Sequence, residues 1–500
     1  MDMGTPESPA QESPSGTWRD FVAPLILVAI VLLGAALRVY RIADESVWVD
    51  ESVSYPQLHQ PTLGAYLAAI RVQDPPMSPL YFTLQYYWAR TVGDSVVAVR
   101  MLSVLLGVAT LPLLYLLGAQ LYNRSAGLIA ALCAALAIPH VYYAQEIRTY
   151  ALVLLLSVTS MYFLLRALRG SPGWWPLHAL CNALLLATHI FGVLLLFVQA
   201  LFLLATHAKR WKTLLMWAAV HAAMLVPYAL YLNSLRGEAL SHSISMIPIP
   251  SLRWLLNTYC VYYTGLEPWG GRLPDGYGPV YAVAALMLVA LVACFIGTRK
   301  QELLTSRREA FVLLSLWYLV PPLVLYVVSF CVTPCFVERY ALSSSFALYL
   351  LAGGVFTLFN RPWWTAAVLC ALGAAYTIAH MDTERPYRLD YRKAALVLQA
   401  SARADEPVIG WKEVGESLLQ PYLAAPLKDR FTHVETNEEL LREVDARVRP
   451  GSTCWAMVYD GPAGDPRSDI EAQLRAKGLR FHRTSLAGLR RLHIYQITRD

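Results

Sequence analysis

The sequence predicts a mainly α, polytopic membrane protein of about eleven transmembrane helices, with interfacial helices and a small C-terminal α/β domain. Three observations carry this. Of 500 residues, 56% are hydrophobic and only 15% charged, and the mean hydropathy is +0.42. Apolar runs long enough to cross a hydrocarbon core of about 30 Å recur along most of the chain. From about residue 381 the character changes: about half of all charged residues fall there, and apolar runs shrink to strand length.

Residues 1–20, "MDMGTPESPAQESPSGTWRD", are polar and read as a disordered tail. The next run, "FVAPLILVAIVLLGAALRVY", is too long for a signal-peptide core and lacks a small-residue cleavage site, so it reads as a retained first helix. The expected spans are 21–40, 98–120, 126–142, 149–168, 174–188, 191–206, 213–232, 278–297, 311–331, 340–358 and 363–380, which together make a membrane module over 21–380. The eight cysteines lie mostly inside these runs and read as core residues; Cys331 and Cys335, near an edge, leave a pairing open. Within 381–500, "DYRKAALVLQASA", "NEELLREVDARV" and "RSDIEAQLRAKG" read as helices, the last closed by Gly478. "EPVIGW", "STCWAMVYD" and "RRLHIYQITR" read as strands. Alternating helices and strands point to a small α/β domain.

Segment 78–94, "SPLYFTLQYYWARTVGD", is ambiguous: aromatic, short and interrupted by Arg90. Loop charge decides it. If 78–94 stays at the interface and the N-terminus is cytoplasmic, four basic clusters fall on the cytoplasmic side. They are Arg166/Arg169, Lys209/Arg210/Lys212, Arg299/Lys300/Arg307/Arg308 and Arg361. The net charge of +6 then follows from loop topology and gives no reason to expect a nucleic-acid partner. Loops 41–97 and 233–277, the turns 142–150 and 331–340, and the C-terminal domain all come to the external face. No internal repeat of the kind found in inverted-repeat transporters is present.

That face collects the polar residues that a membrane chain spends sparingly. "RIADESVWVDESVSYP" (41–56) holds two acidic pairs, of which Asp44/Glu45 reads as a solvated or capping pair at the helix exit. Asp50 and Glu51 follow Trp48, an interfacial anchor type, and a carboxylate there can accept a proton from a hydroxyl as a general base; a merely solvated acidic loop is the alternative. "HVYYAQEIRTYALV" sets Glu146 and Arg148 among Tyr142, Tyr143 and Tyr150. An arginine fork there can hold phosphate oxygens, or else a Glu–Arg pair fixes helix packing. "PCFVERY" repeats the theme with Glu338, Arg339 and Tyr340, against the alternative of an arginine reaching to headgroups. Asp74, in "QDPPMSPLYF", is assigned a structural role in preference to substrate contact. His59 and His189 lie at external positions, where a hydrogen-bonded structural role outweighs a metal-binding one; His59 is kept among the candidate binding residues. No His or Cys spacing supports a bound metal, and no phosphate-binding or dinucleotide glycine loop is present.

These motifs together resemble the GT-C membrane glycosyltransferases. The acidic pair after the first helix, then "PPMSPLYF", resembles their start. The run from "GDSVVAVRMLSVLL" to "HVYYAQEIRTYAL" is similar to bacterial protein O-mannosyltransferase-like proteins and aminoarabinose transferases, as are "ATHIFGVLLLFVQALFLL" and "ERYALSSSFALYLLAGG". The resemblance covers about residues 21–360 and is weak in the tail. It implies a GT-C fold in a bacterial inner membrane and an inverting transfer of a sugar, at the external face, from a polyprenyl-phosphate donor to a hydroxyl or phosphate of a protein or glycolipid acceptor. It also implies that Asp50, with Glu51 beside it, acts as base. Arg148 and Arg339 are then the candidates for steadying the departing phosphate, Glu146 for orienting Arg148 or touching the sugar, and Tyr340, Tyr143 and His59 complete the candidate donor-binding set. No nucleotide is implied, and a divalent cation is permitted without sequence support. Gln73-Asp74 stands where several relatives carry His before the proline pair. A flippase for polyprenyl-linked sugars is the runner-up from another class.

Overall fold

In the computed structural model the described residues are 17–74, 77–170, 172–234, 247–259, 304–358 and, with short gaps, 391–499. The expected spans 278–297 and 363–380, Arg299, Lys300 and Arg361, and most of loop 233–277 lie outside them.

The first helix, α1 (Thr17–Val39), starts inside the expected tail and ends at Tyr40 and Arg41, whose φ is +57°. Three short elements follow: α2 (Val49–Ser52), a 3₁₀ turn (Pro56–His59) and α3 (Leu63–Gln73). Next comes α4 (Pro79–Val92), the ambiguous segment; at 14 residues it is about 21 Å long, short of the hydrocarbon thickness. Arg90 lies over the Tyr86 ring at 3.3 Å and donates to Gln60 O, which ties α4 to the 3₁₀ turn. Then come α5 (Val96–Leu121), α6 (Arg124–Leu136), α7 (Ile138–Ala144), α8 (Tyr150–Leu168), α9 (Trp174–Thr188), α10 (Val193–His207) and α11 (Trp211–Ser234). The membrane part ends, among the described residues, with α12 (Leu252–Asn257), α13 (Leu304–Cys331) and α14 (Ser344–Leu358). Six described helices are long and apolar enough to cross a membrane. Cys331 and Cys335 are both free thiols.

The expected span 126–142 is a bent pair, α6 and α7, meeting at 63°. Pro139 explains the break: it has no N–H to offer the carbonyl of Ala135. Arg38, 1% exposed, takes over, donating to Ala134 O (3.0 Å) and Ala135 O (3.2 Å). A cation inside the membrane module is thus spent on helix carbonyls. Close backbone approach joins α5 to α6, since a Cβ on Gly127 would stand 2.3 Å from Tyr115 O. Between α8, α9, α10 and α11, the side chains of Ser160, His178, Asn182, Gln199 and His221 bond one another, with Asn182 Nδ2 to Gln199 Oε1 at 2.9 Å. Such bonds hold helices together where lipid gives no hydrophobic incentive, each worth about 0.6 kcal/mol.

The C-terminal part contains α15 (Tyr391–Ser401), β1 (Val408–Trp411), β2 (Phe431–Val434), α16 (Asn437–Arg447), β3 (Thr453–Tyr459), α17 (Pro466–Ala476), β4 (Leu479–Leu486) and β5 (Leu492–Arg499). One five-stranded sheet forms in the order β2-β1-β3-β5-β4. β1 runs parallel to β2 and β3, and β5 antiparallel to β3 and β4. Gly478, at φ +70°, takes the left-handed conformation that ends α17, as its sequence position foretells. The strands β2 and β4 are additions to the sequence reading. The apolar core of one sheet face includes Val47, 0% exposed, from the loop after α1.

Candidate active site

Four connections after helix ends converge: the segment after α1, the end of α3, the α7–α8 turn (145–149) and the 3₁₀ turn Glu338–Ala341 before α14. A fifth, His189, closes α9.

Asp50 and Glu51 are neighbours with opposite surroundings. Glu51 is fully buried against a fully buried Arg100. Its Oε1 accepts from Arg100 Nε at 3.1 Å and from the Ile147 N–H at 2.9 Å; its Oε2 accepts from Arg100 Nη2 and the Trp48 N–H, each at 2.9 Å. Arg100 also donates to the carbonyls of Ile42, Glu45 and Ser46. Every donor and acceptor of this ion pair is occupied, the condition under which a buried pair survives its desolvation cost. Glu51 is thereby engaged in holding the segment 42–51 to the α7–α8 turn.

Asp50 points the other way. Its carboxylate, 26% exposed, accepts from Arg339 Nη2 at 3.1 Å. Its backbone carbonyl accepts from Arg148 Nη1 at 3.2 Å, and Arg148 Nη2 reaches the Asp74 carboxylate at 3.4 Å. Arg339 Nε donates to the Tyr150 hydroxyl at 2.8 Å, and the guanidinium lies over the Tyr340 ring at 5.5 Å. Tyr143 stacks edge-on against Tyr150, and His189 lies between the rings of Tyr150 and Tyr340. Two guanidinia, two carboxylates and a ring of aromatic side chains thus share one partly open site. Burial, with the Arg148 and Arg339 charges added, lowers His189 to about 3, so its imidazole is neutral near pH 7. Burial likewise raises the Glu338 carboxyl, which accepts from the Trp254 indole N–H.

Of the sequence candidates, Asp50, Arg148, Arg339, Tyr340 and Tyr143 come together. Glu146 is buried in the same turn as Arg148, whose carboxylate partner is Asp74. Asp74, assigned a structural role from the sequence, is both the cap of α3 and a member of the cluster. His59 is exposed at the end of its 3₁₀ turn and joins the cluster through no interaction among the described residues, whereas His189 packs within it. The sequence reading missed Arg100. Its signal was available: a lone cation within the apolar run 98–120 is costly and needs a partner. Among the described residues no group of three His, Cys, Asp or Glu side chains is arranged to hold a metal ion.

Residues 73–231 match the family Dolichyl-phosphate-mannose-protein mannosyltransferase. No curated protein matches the sequence. The fold is similar to that of ArnT from Cupriavidus metallidurans in the apo state, with 14% identity, a TM-score of 0.56, and 95% of this chain and 98% of that chain covered. It is similar also to the same ArnT bound to undecaprenyl phosphate (13%, 0.56, 96% and 98%). The archaeal oligosaccharyltransferase AglB from Archaeoglobus fulgidus, in complex with an inhibitory peptide and a dolichol-phosphate, matches with 12% identity, a TM-score of 0.52, and 88% and 70% covered. The family match thus covers residues 73–231, about a third of the chain, and the fold over nearly the whole chain is like that of ArnT.

Proposed function

We propose that the protein transfers a sugar from a polyprenyl-phosphate donor to an acceptor hydroxyl at the external membrane face, with inversion at the anomeric carbon. The observation that carries this is Asp50 set beside two guanidinia in a partly open, aromatic-lined site. In the reaction the Asp50 carboxylate takes the proton of the acceptor hydroxyl, and the acceptor oxygen forms a bond to the anomeric carbon. The bond from that carbon to the phosphate oxygen breaks, and the lipid phosphate leaves carrying the electron pair. Charge grows on that phosphate, and Arg148 and Arg339 stand where it is stabilised. A phosphate that draws the Arg339 fork also frees the Asp50 carboxylate to meet the acceptor hydroxyl. Tyr340, partly exposed, supplies an aromatic face against which a sugar ring packs, with His189 and Tyr143 in the aromatic cluster behind it. ArnT bound to undecaprenyl phosphate and AglB in complex with a dolichol-phosphate support the lipid class. Asp50 and Glu51 keep distinct parts: Asp50 as base, Glu51 as the anchor that places it. The C-terminal domain is then external and the basic turns cytoplasmic, as the loop charges suggest.

The flippase reading is tested alongside. Protein reconstituted in liposomes with a polyprenyl-phosphate sugar extract and a membrane extract that supplies hydroxyl-bearing acceptors is expected to release free polyprenyl phosphate and form a new sugar adduct, both read by mass spectrometry. Movement of the lipid-linked sugar across the bilayer without such release favours the flippase.

A further inference from the structure

The segment carrying Asp50 is held from two sides, and only one belongs to the membrane module. Below, Arg100 gathers the carbonyls of Ile42, Glu45 and Ser46. Above, the C-terminal domain makes three bonds to the same stretch. The Val47 N–H donates to the Tyr422 hydroxyl at 2.8 Å, the Arg392 N–H donates to Ser46 Oγ at 3.1 Å, and Arg392 Nη1 donates to Ala43 O at 3.3 Å. The Val47 side chain, 0% exposed, is counted into that domain's own core with Tyr391, Leu398, Val408, Trp455 and Met457. Asp50 follows Val47 by three residues, and Glu51 by four.

Other features carry less. The cavity of about 370 Å³ at the opposite ends of α8 and α10 is lined by Arg169, Arg210, His207 and Glu309. Its arginines donate to Gln120 O and Leu168 O, and three helix C-termini meet there, so its cations answer helix carbonyls. The Ser160–His178–Asn182–Gln199 network is satisfied within itself.

We propose that the C-terminal domain is a positioning element of the catalytic site, with Tyr422 and Val47 as the staple that fixes Asp50 against Arg339 and Arg148. The proposal rests on Asp50 being the base. A domain that only recognised acceptor would leave the Asp50 segment to the membrane module; here it supplies an anchor side chain's pocket and the hydrogen-bond acceptor for a buried N–H. Loosening the staple displaces the carboxylate relative to the phosphate site, and displacements on the scale of an ångström cost transfer reactions roughly ten- to hundredfold.

The test is Tyr422→Phe in the full chain, which keeps the ring and deletes the acceptor. Three readouts are taken: amide exchange over the peptide containing Val47, binding of undecaprenyl phosphate, and turnover in the liposome assay. The proposal expects faster exchange at Val47 and turnover lowered roughly tenfold or more, with undecaprenyl phosphate binding and melting temperature unchanged. Faster exchange with wild-type turnover overturns it, as does unchanged exchange. Ser46→Ala, which removes the acceptor of the Arg392 N–H, repeats the test should Tyr422→Phe lower the melting temperature. Arg442→Gln, on an exposed face of α16, is the control expected to change nothing. Turnover that survives Asp50→Ala refutes the catalytic reading on which the proposal rests, while the exchange result reports on the staple separately.

Discussion

Glu51 and Arg100 meet through two charge-assisted hydrogen bonds of 3.1 and 2.9 Å with neither side chain exposed to solvent. The adjacent Asp50 instead faces Arg339 across 3.1 Å at the open side. One peptide bond separates an anchored carboxylate from one available for chemistry. Breaking the buried pair from one end strands the other charge, so Arg100→Leu is expected to lose about 3–5 kcal/mol of stability. The paired change Glu51→Leu with Arg100→Leu removes the stranded charge but leaves the carbonyls of Ile42, Glu45 and Ser46 and the N–H groups of Trp48 and Ile147 unmet, so its loss should be smaller than the sum of the two single losses. Denaturant or thermal unfolding in detergent checks both, and a loss in the double variant equal to the sum of the two single losses would contradict the pair.

Arg339→Lys keeps the charge and loses the fork. Arg339 uses Nε on Tyr150 and Nη2 on Asp50, a geometry an ammonium cannot reproduce. Undecaprenyl phosphate binding is expected to weaken by about tenfold, one charge-assisted hydrogen bond being worth about 1.5–3 kcal/mol. Titration of the lipid phosphate against wild type and variant reads it directly, and equal affinities would remove Arg339 from the phosphate site.

His189 sets an acid limit on stability. Its imidazole is held at about 3, against an ordinary value of 6.5, so between those values the unfolded chain binds a proton that the native chain refuses. Stability therefore falls as pH drops below 6.5. At pH 5 the loss is about 2 kcal/mol, from about 1.4 kcal/mol per pH unit. His189→Phe retains a ring beside Tyr340 and Tyr150 and should make the acid slope shallower by the share that His189 contributes. Melting temperatures at pH 5 and 7.5 give the answer; a slope as steep as wild type would place the titrating group elsewhere.

Most of this organisation is legible in the sequence because membrane chemistry writes it in large letters. Apolar runs announce α1, α5, α8, α10, α11 and α13, and loop charge brings Asp50, Arg148 and Arg339 to one face. What resists reading is pairing at a distance. Glu51 and Asp50 are equivalent in sequence, and only the location of Arg100, 49 residues on, separates their roles. The role of Asp74 depends likewise on Arg148, 74 residues away. In the C-terminal domain the two unforeseen strands, β2 and β4, are the sheet's edges. β4 exposes Arg480, His482, Arg483 and Ser485 beside few apolar residues, so its alternation is faint. The bend at Ala137 is signalled by Pro139, but its repair by Arg38, about a hundred residues earlier, is visible only in three dimensions.

The most direct measurement of the central claim compares wild type and Asp50→Ala in the same liposomes, reading undecaprenyl phosphate binding and sugar transfer together. Loss of the general base is expected to lower transfer by about a hundredfold or more while the lipid phosphate stays bound by Arg148 and Arg339. Transfer at the wild-type rate by Asp50→Ala would contradict the account.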